Sequence, residues 1–246
     1  MPREEQVLVE NFLRARRSRE RVVLEGFHAL KHALRFGAAL ETAVSPRPKE
    51  IAALAQALAL DVAPRLSLTE VSEECFAALA PRPPASPVCA LAARPANRAE
   101  AMAEAEGRVV VLDHPAHAGN VGAVVRTAAA AGAAGVVVLG GVDPWSPAAV
   151  RGGAGLQWAL PTLYTETYPF GEARPLIAFH ETGTPLFSHP LPPRAALLFG
   201  SERRGIAPDL RGRAHATLAI PMREGVSSLN LAVSVGIALY CAGAHA

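Results

Sequence analysis

The stretch Ile220–Tyr240, IPMREGVSSLNLAVSVGIALY, governs how the rest of the chain is read. It opens as the end of a short apolar strand, LAIPM, crosses a polar turn, REGVSS, and enters a helix apolar on most of its surface. A serine hydroxyl accepts a free backbone N–H in a first helical turn, so Ser227 or Ser228 serves as N-cap. Either choice leaves Leu229 and Asn230 within that turn. Asn230 is the odd residue, a polar amide at the head of an apolar helix. An amide entering a buried environment needs partners, so a polar group is expected beside it. Gly119–Arg126 and Gly200–Gly205 are two further polar or glycine-bearing stretches that raise the same question.

Each of these stretches follows an apolar run. Arg108–Asp113, RVVVLD, is a continuous strand of the kind buried on both faces. A loop, HPAHAGN, leads to a helix, VGAVVRTAAAAG, stopped by Gly132, and then to a second buried strand, GVVVLGG. This is a βαβ unit with an expected right-handed crossover. Turn signals follow at Asp143–Pro144 and Ser146–Pro147, and Arg151 precedes a run of glycines. Pro175–His180 makes a third strand, Ala195–Phe199 a fourth running into GSERRGI, and LAIPM a fifth. Ligands of open α/β sheets sit at the carboxyl ends of strands, where all three stretches fall.

The first third of the chain reads differently. Residues 3–35 carry helical anchors at Leu8 and Phe12, but Val22–Gly26, VVLEG, is better a strand followed by a helix over Phe27–Gly37, because consecutive β-branched residues favour strand. Then come a short strand (ALETAVSP), an alanine-rich helix over Glu50–Leu60, a short strand over Asp61–Leu66, and a helix within Ser67–Ala80 with caps at Thr69 or Ser72–Glu73. That alternation predicts a small α/β layer with a parallel sheet. Pro81–Pro87, PRPPASP, is a stiff connection. The expected division is an N-terminal domain over 1–94, a linker over 95–106 and a C-terminal domain over 107–246.

Composition narrows the class. The 246 residues carry a formal charge of only +2, too little to argue for nucleic acid alone. Arg14–Arg21, however, holds five arginines and one glutamate. On charge alone a solvated face is the favoured reading, with a phosphate contact as the sharper one. Cys75, Cys89 and Cys241 lack CxxC spacing, which argues against a disulfide framework or zinc site. His28 and His32 lie four apart with no third ligand evident, so no metal is expected. The start of the sequence is charged and no run of ~18 apolar residues occurs, so a soluble cytoplasmic protein with no membrane partner is expected.

Taken singly, the three stretches have ordinary structural explanations. Gly119–Arg126, GNVGAVVR, lacks the third glycine of a dinucleotide loop, and Asn120 could simply cap its helix. Arg126 is harder to dismiss, since it sits two turns into a helix of Val, Ala and Gly whose surface should be mostly buried. GSERRGI could be a solvated polar turn. Their convergence at strand ends of one sheet favours a site.

Asn120-x-Gly122 with Arg126-Thr127, Gly200-Ser201-Glu202 with Gly205, and Ile220-Pro221-Met222 with Ser228-Leu229-Asn230 resemble, in order and spacing, the three signature motifs of SpoU-type RNA methyltransferases. The resemblance covers residues 108–241, and the segment VVLEGFHALKHALRFGAALETAVS resembles the ribosomal-protein-like RNA-binding domain that precedes the catalytic domain in several members. It implies a trefoil-knotted, parallel-sheet α/β methyltransferase domain that dimerises, preceded by a small α/β RNA-binding domain. It also implies S-adenosylmethionine as cofactor, held around Leu198, Phe199, Gly200, Ile220, Met222, Ser228 and Leu229, and methyl transfer to a ribose 2′-hydroxyl. Arg126 would be the central catalytic residue, with Asn120, Glu202, Ser228 and Asn230 orienting it and the nucleotide. The family's arginine is sometimes described as general base. A guanidinium is effectively always protonated, so phosphate binding is the safer role.

RNA contacts are expected from Arg14, Arg16, Arg17, Arg19, Arg151 and Arg203. Arg203-Arg204 depart from the family's usual glycine and acid, and two positive charges there would suit a phosphate. Structured RNA is the expected partner, ribosomal before transfer RNA. The competing readings are a nicotinamide-dependent oxidoreductase and an inactive RNA-binding protein of the same fold. Asn230 is expected to face Arg126 across the site.

Overall fold

The computed structural model describes residues 1–96, 98–188 and 190–241. The chain begins with helix α1 (Arg3–Ala15), strand β1 (Arg21–Glu25), helix α2 (Phe27–Arg35), strand β2 (Leu40–Ser45) and helix α3 (Pro48–Leu58). A 3₁₀ turn (Ala63–Arg65), strand β3 (Thr69–Glu70), helix α4 (Glu73–Leu79) and strand β4 (Cys89–Ala93) follow. Ser72 caps α4, its hydroxyl accepting the Cys75 N–H at 3.1 Å. Two expectations fail here. Asp61–Leu66 forms no strand and holds the 3₁₀ turn Ala63–Arg65, because Pro64 fixes its own φ and has no N–H for a strand ladder. The sheet, in order β1-β4-β2-β3, is mixed: β4 runs antiparallel to both β1 and β2, and only β2–β3 is parallel.

The chain continues through helix α5 (Ala99–Glu104), β5 (Val109–Asp113), α6 (Ala118–Ala130), β6 (Gly135–Leu139), α7 (Pro147–Gly152) and β7 (Thr162–Thr165). It ends with β8 (Leu176–Pro185), β9 (Ala196–Phe199), α8 (Pro208–Gly212), β10 (Ala216–Ala219) and α9 (Leu231–Cys241). The six-stranded sheet has order β10-β8-β9-β5-β6-β7 and every pairing is parallel. Every residue of β5, β6 and β9 is buried, which explains their unbroken apolar sequence. The strand expected over LAIPM stops at Ala219, leaving Ile220–Met222 in the loop beyond it.

Two compact units result, and they are not consecutive in sequence: Met1–Ala96 with Trp145–Ala159, and Asn97–Pro144 with Leu160–Ala246. The excursion Trp145–Ala159 is fixed within the first unit by side-chain packing. Trp145 is 5% exposed and, with Val150, shares a buried cluster with Val22, Leu24 and Leu30; Trp158 packs against that cluster and meets Trp145 edge-on, with ring centroids 4.9 Å apart. Gly155 has φ +75°, and a Cβ there would fall 2.2 Å from the Ala29 carbonyl oxygen. The glycines after Arg151 therefore include one that lets backbone meet backbone.

The segment expected as a linker is packed as well. Arg174 is fully buried and donates to the carbonyls of Met102 (2.7 Å), Gly107 (2.8 Å), Arg194 (2.9 Å) and Ala105. Those bonds satisfy a buried guanidinium while holding both ends of the α5–β5 connection. Met102 fills the space over Gly135 of β6, where an added Cβ would come within 2.3 Å of its sulfur.

Candidate active site

A pocket of about 490 Å³ opens at the carboxyl end of β9, against the middle of β8 and beside the loop after β10. Its apolar wall includes Phe179 and Phe199, stacked nearly parallel with centroids 4.6 Å apart. Its floor turns at Gly200, where a Cβ would lie 2.2 Å from the Gly205 carbonyl carbon. Ser201 and Gly205 exchange two backbone hydrogen bonds of 3.0 Å, closing a hairpin whose three loop residues are Glu202, Arg203 and Arg204. Gly205, at φ +66°, supplies the left-handed position that such a short loop requires.

A directed chain of polar groups crosses one side of this pocket. Asn230 Nδ2 donates to Asn120 Oδ1 (3.2 Å), and Asn120 Nδ2 donates to Glu202 Oε1 (2.6 Å). Glu202 Oε2 accepts the Ala116 N–H (3.1 Å), and Asn230 Oδ1 accepts the Ala232 N–H (2.9 Å). Each amide uses its oxygen and its nitrogen on different partners, so neither can flip without loss. Partial burial pushes the Glu202 carboxyl up, but the Asn120 amide and backbone N–H groups outweigh it and hold it below the ordinary range.

Residues 107–240 match the SpoU rRNA Methylase family. The chain belongs to that family. Among its relatives, the 23S rRNA (adenosine(1067)-2′-O)-methyltransferase of Streptomyces laurentii is 35% identical over 156 residues, covering 59% of this chain and 57% of that protein. The 23S rRNA (uridine(2479)-2′-O)-methyltransferase of Streptomyces viridochromogenes is 31% identical over 149 residues, or 53% of this chain and 50% of that protein. The matches span about half the length of these curated relatives. Among solved structures, an AdoMet-bound rRNA methyltransferase from Sinorhizobium meliloti superposes with a TM-score of 0.77 at 27% identity, covering 96% of this chain and 93% of that one. The AdoMet complex of the SpoU methyltransferase AviRb from Streptomyces viridochromogenes has the same fold, with a TM-score of 0.77 at 24% identity and 96% coverage of both chains.

Residues from all three SpoU motifs meet at the pocket, but Gly122, Arg126, Thr127 and Pro221 are not among those that line it. Asn120, Gly200, Glu202, Ile220, Met222, Ser228, Leu229 and Asn230 all line the pocket, as does Phe199. Leu198 does not; it lies fully buried inside β9. Asn120 is not a helix cap, since α6 begins at Ala118 after His117. Neither serine caps α9, which starts at Leu231; Asn230 itself is the cap and is exposed rather than buried. Arg126 is likewise exposed, because α6 buries the face carrying Val121, Gly122, Val124, Val125 and Ala128. Arg126 has no hydrogen-bond or ion-pair partner among the described residues, and the Asn230 amide is directed at Asn120 rather than at it.

The arginines expected at RNA divide into two kinds. Arg14, Arg17, Arg19 and Arg203 are exposed. Arg16 instead donates to Glu25 (2.5 Å) and to the Leu79 carbonyl (2.5 Å), while Arg151 bonds Glu25 and the Arg82 carbonyl (3.1 Å). Those two guanidiniums neutralise a carboxylate only 5% exposed. Sequence reading gave no role to Phe179, His180 and Glu181, which also line the pocket. The rule that selected the other loops, a polar residue at the carboxyl end of a strand, reaches His180 and Glu181 on the strand expected over Pro175–His180, although the observed β8 runs on to Pro185.

Proposed function

We propose that this protein transfers a methyl group from S-adenosylmethionine to a ribose 2′-hydroxyl of structured RNA, ribosomal RNA before transfer RNA. The observation that carries this reading is the Glu202–Asn120–Asn230 chain on the wall of a pocket that meets the family's three motifs. A volume of about 490 Å³ is in the range of small-molecule cofactor sites. Gly200 and Gly205 both line the pocket; a Cβ at Gly200 would strike the Gly205 backbone, and one at Gly205 would meet nothing within 4 Å. These features fit a nucleoside bearing an amino-acid tail. Phe199, Gly200, Ile220, Met222, Ser228 and Leu229 would hold it, with Leu198 as backing.

Bound there, the cofactor supplies an electrophilic methyl group, so the protein's work is orientation of the acceptor hydroxyl. Asn120 is locked between Asn230 and Glu202 and keeps the first turn of α6 beside the pocket. Arg126, exposed and without a partner, is available to bind the phosphate next to the target ribose and steer its hydroxyl. It remains protonated and does not accept the hydroxyl proton. Ser228, exposed on the pocket wall, is available to the nucleotide.

In this reading the chain is a cytoplasmic, metal-independent homodimer whose C-terminal domain is knotted and whose first unit binds RNA. Support for a C-terminal dimer surface comes from the largely apolar helix α9, where Val233 is 50% exposed and Tyr240 45%. Among the described residues no helix is long and apolar enough to cross a membrane. The domain limits 1–94 and 107–246 belong to this proposal, and residues 242–246 lie outside the described structure.

The test joins calorimetry with labelled methyl transfer. The protein should bind S-adenosylmethionine and methylate ribosomal RNA, at a ribose located by mass-spectrometric mapping in cells with and without the gene. Arg126→Ala should lose transfer by at least ~10²-fold, the scale of removing one positioned donor, while keeping cofactor affinity. Retained turnover would remove the role given to Arg126. Binding of a nicotinamide dinucleotide in place of S-adenosylmethionine would overturn the methyl-transfer reading altogether.

A further inference from the structure

The hairpin Ser201–Gly205 combines rigidity with uncompensated charge. Its ends are fixed by two backbone bonds, and a third links the Arg204 N–H to the Ser201 hydroxyl (3.2 Å). Ser201 is only 8% exposed, and the backbone at Gly200 packs so closely on Gly205 that a Cβ would fall 2.2 Å from its carbonyl carbon. Of the three loop residues, Glu202 is pinned by Asn120 and Ala116. Arg203 and Arg204 make the rest of the tip; both are exposed, and neither guanidinium has a hydrogen-bond or ion-pair partner among the described residues. The acid next to them in sequence is therefore committed elsewhere, and two cations stand on the loop whose other residues line the pocket.

We propose that Arg203 and Arg204 form a phosphate clamp for the RNA strand that enters the pocket, gripping the backbone of nucleotides beside the target ribose. This rests on the methyltransferase reading for the identity of the strand, while the clamp's chemistry is independent of it. Two adjacent guanidiniums suit phosphate oxygens, whereas a sulfonium-bearing amino acid carries no phosphate and gives them nothing comparable to bind. Holding the pair on a closed three-residue loop removes much of the ordering cost that a mobile basic loop would pay on binding. The tie from Glu202 to Asn120 also means that the clamp and the first turn of α6 are held by one carboxylate. A gripped strand and the site's polar chain thereby share a fixed frame.

The chemistry has a second possible source, the pyrophosphate of a dinucleotide, and the experiment separates them. Binding of a single-stranded mixed-sequence RNA is measured across a salt series for the full-length protein and for R203A/R204A and R203K/R204K. Each lost phosphate contact lowers the salt slope by ~0.7 for a single strand, so the alanine pair should lose about 1.4 in slope and about 25-fold in affinity at ~0.1 M salt. The lysine pair keeps the charge and should keep most of the slope. S-adenosylmethionine affinity and the melting temperature should match wild type in both variants. An unchanged slope in R203A/R204A overturns the clamp, as does an RNA-independent loss of NAD binding in that variant. A wild-type protein that binds RNA with the full slope but not S-adenosylmethionine leaves the clamp standing and removes the methyl-transfer reading.

Discussion

Glu25 and Glu202 do the same mechanical job in opposite ways. Each joins segments far apart in sequence: Glu25 holds Arg16 and Arg151, and Glu202 holds Asn120 and the Ala116 backbone. Glu25 is 5% exposed and uses two cations, whereas Glu202 is exposed and uses only neutral donors. A buried carboxylate must be neutralised, so Glu25 consumes two arginines that sequence reading had assigned to RNA. An exposed carboxylate needs no counter-charge, and amide partners leave the arginines around it free for a ligand. Burial, rather than residue type, separates scaffold from site.

The comparison breaks most visibly at Glu25. Glu25→Ala leaves two guanidiniums partly buried without their anion, and the expected loss is about 3 kcal/mol, the low end for a broken buried pair because Arg151 is 40% exposed. Urea unfolding followed by circular dichroism reads this directly. The variant should nonetheless bind S-adenosylmethionine as wild type does, because Glu25 touches nothing in the pocket. Wild-type stability in Glu25→Ala would mean that the cluster is a solvated face after all.

Asn120→Ala inverts the pattern. It removes the middle of the polar chain and frees Glu202, and transfer should fall by ~10²-fold through lost positioning. Stability should change by less than about 1 kcal/mol, since its partners Glu202 and Asn230 are exposed and regain water. Parallel activity and melting measurements on the two variants would place them at opposite corners: one unstable and able to bind, the other stable and slow.

What could be seen in the sequence followed the same line. The buried strands β5, β6 and β9 were legible because strands covered on both faces are continuous apolar runs. Strand β7, at the sheet's edge, was missed: TLYT has one buried residue and no such run. The α5 segment looked like a linker because its main anchor, Arg174, lies ~70 positions away and bonds only carbonyls, which leave no mark in the sequence. Trp145–Ala159 likewise gives no local sign that its two tryptophans pack into the other unit. The exposure of Arg126 was readable and was misjudged. Val121, Val124, Val125 and Ala128 follow the helical apolar spacing, and that stripe leaves position 126 outside.

Asn230 tests two functions held by one side chain. Its oxygen caps α9 and its nitrogen anchors Asn120. Asn230→Ala should cost about 1 kcal/mol as a lost cap and also impair transfer. Asn230→Asp keeps an N-cap oxygen but turns an acceptor toward Asn120 Oδ1, whose own nitrogen is taken by Glu202. The aspartate variant should therefore recover helix stability without recovering activity. Recovery of both would detach the cap from the site.

The smallest effect expected is the acid limb of Glu202. Its carboxyl sits below the ordinary value of 4.5 because hydrogen-bond donors favour the ionised form. Its contribution is therefore fully present above that ordinary value and is lost as pH falls through the lowered folded value. Exposure limits the contribution to under about 1 kcal/mol. Glu202→Gln should be slightly less stable than wild type at neutral pH, because its new amide presents a donor to one of the two donors that Glu202 accepts. That gap should close on acidification, as wild type itself becomes neutral. Paired melting curves at neutral and acid pH measure it, and a gap that widens in acid would mean that Glu202 is not the group holding the two loops together.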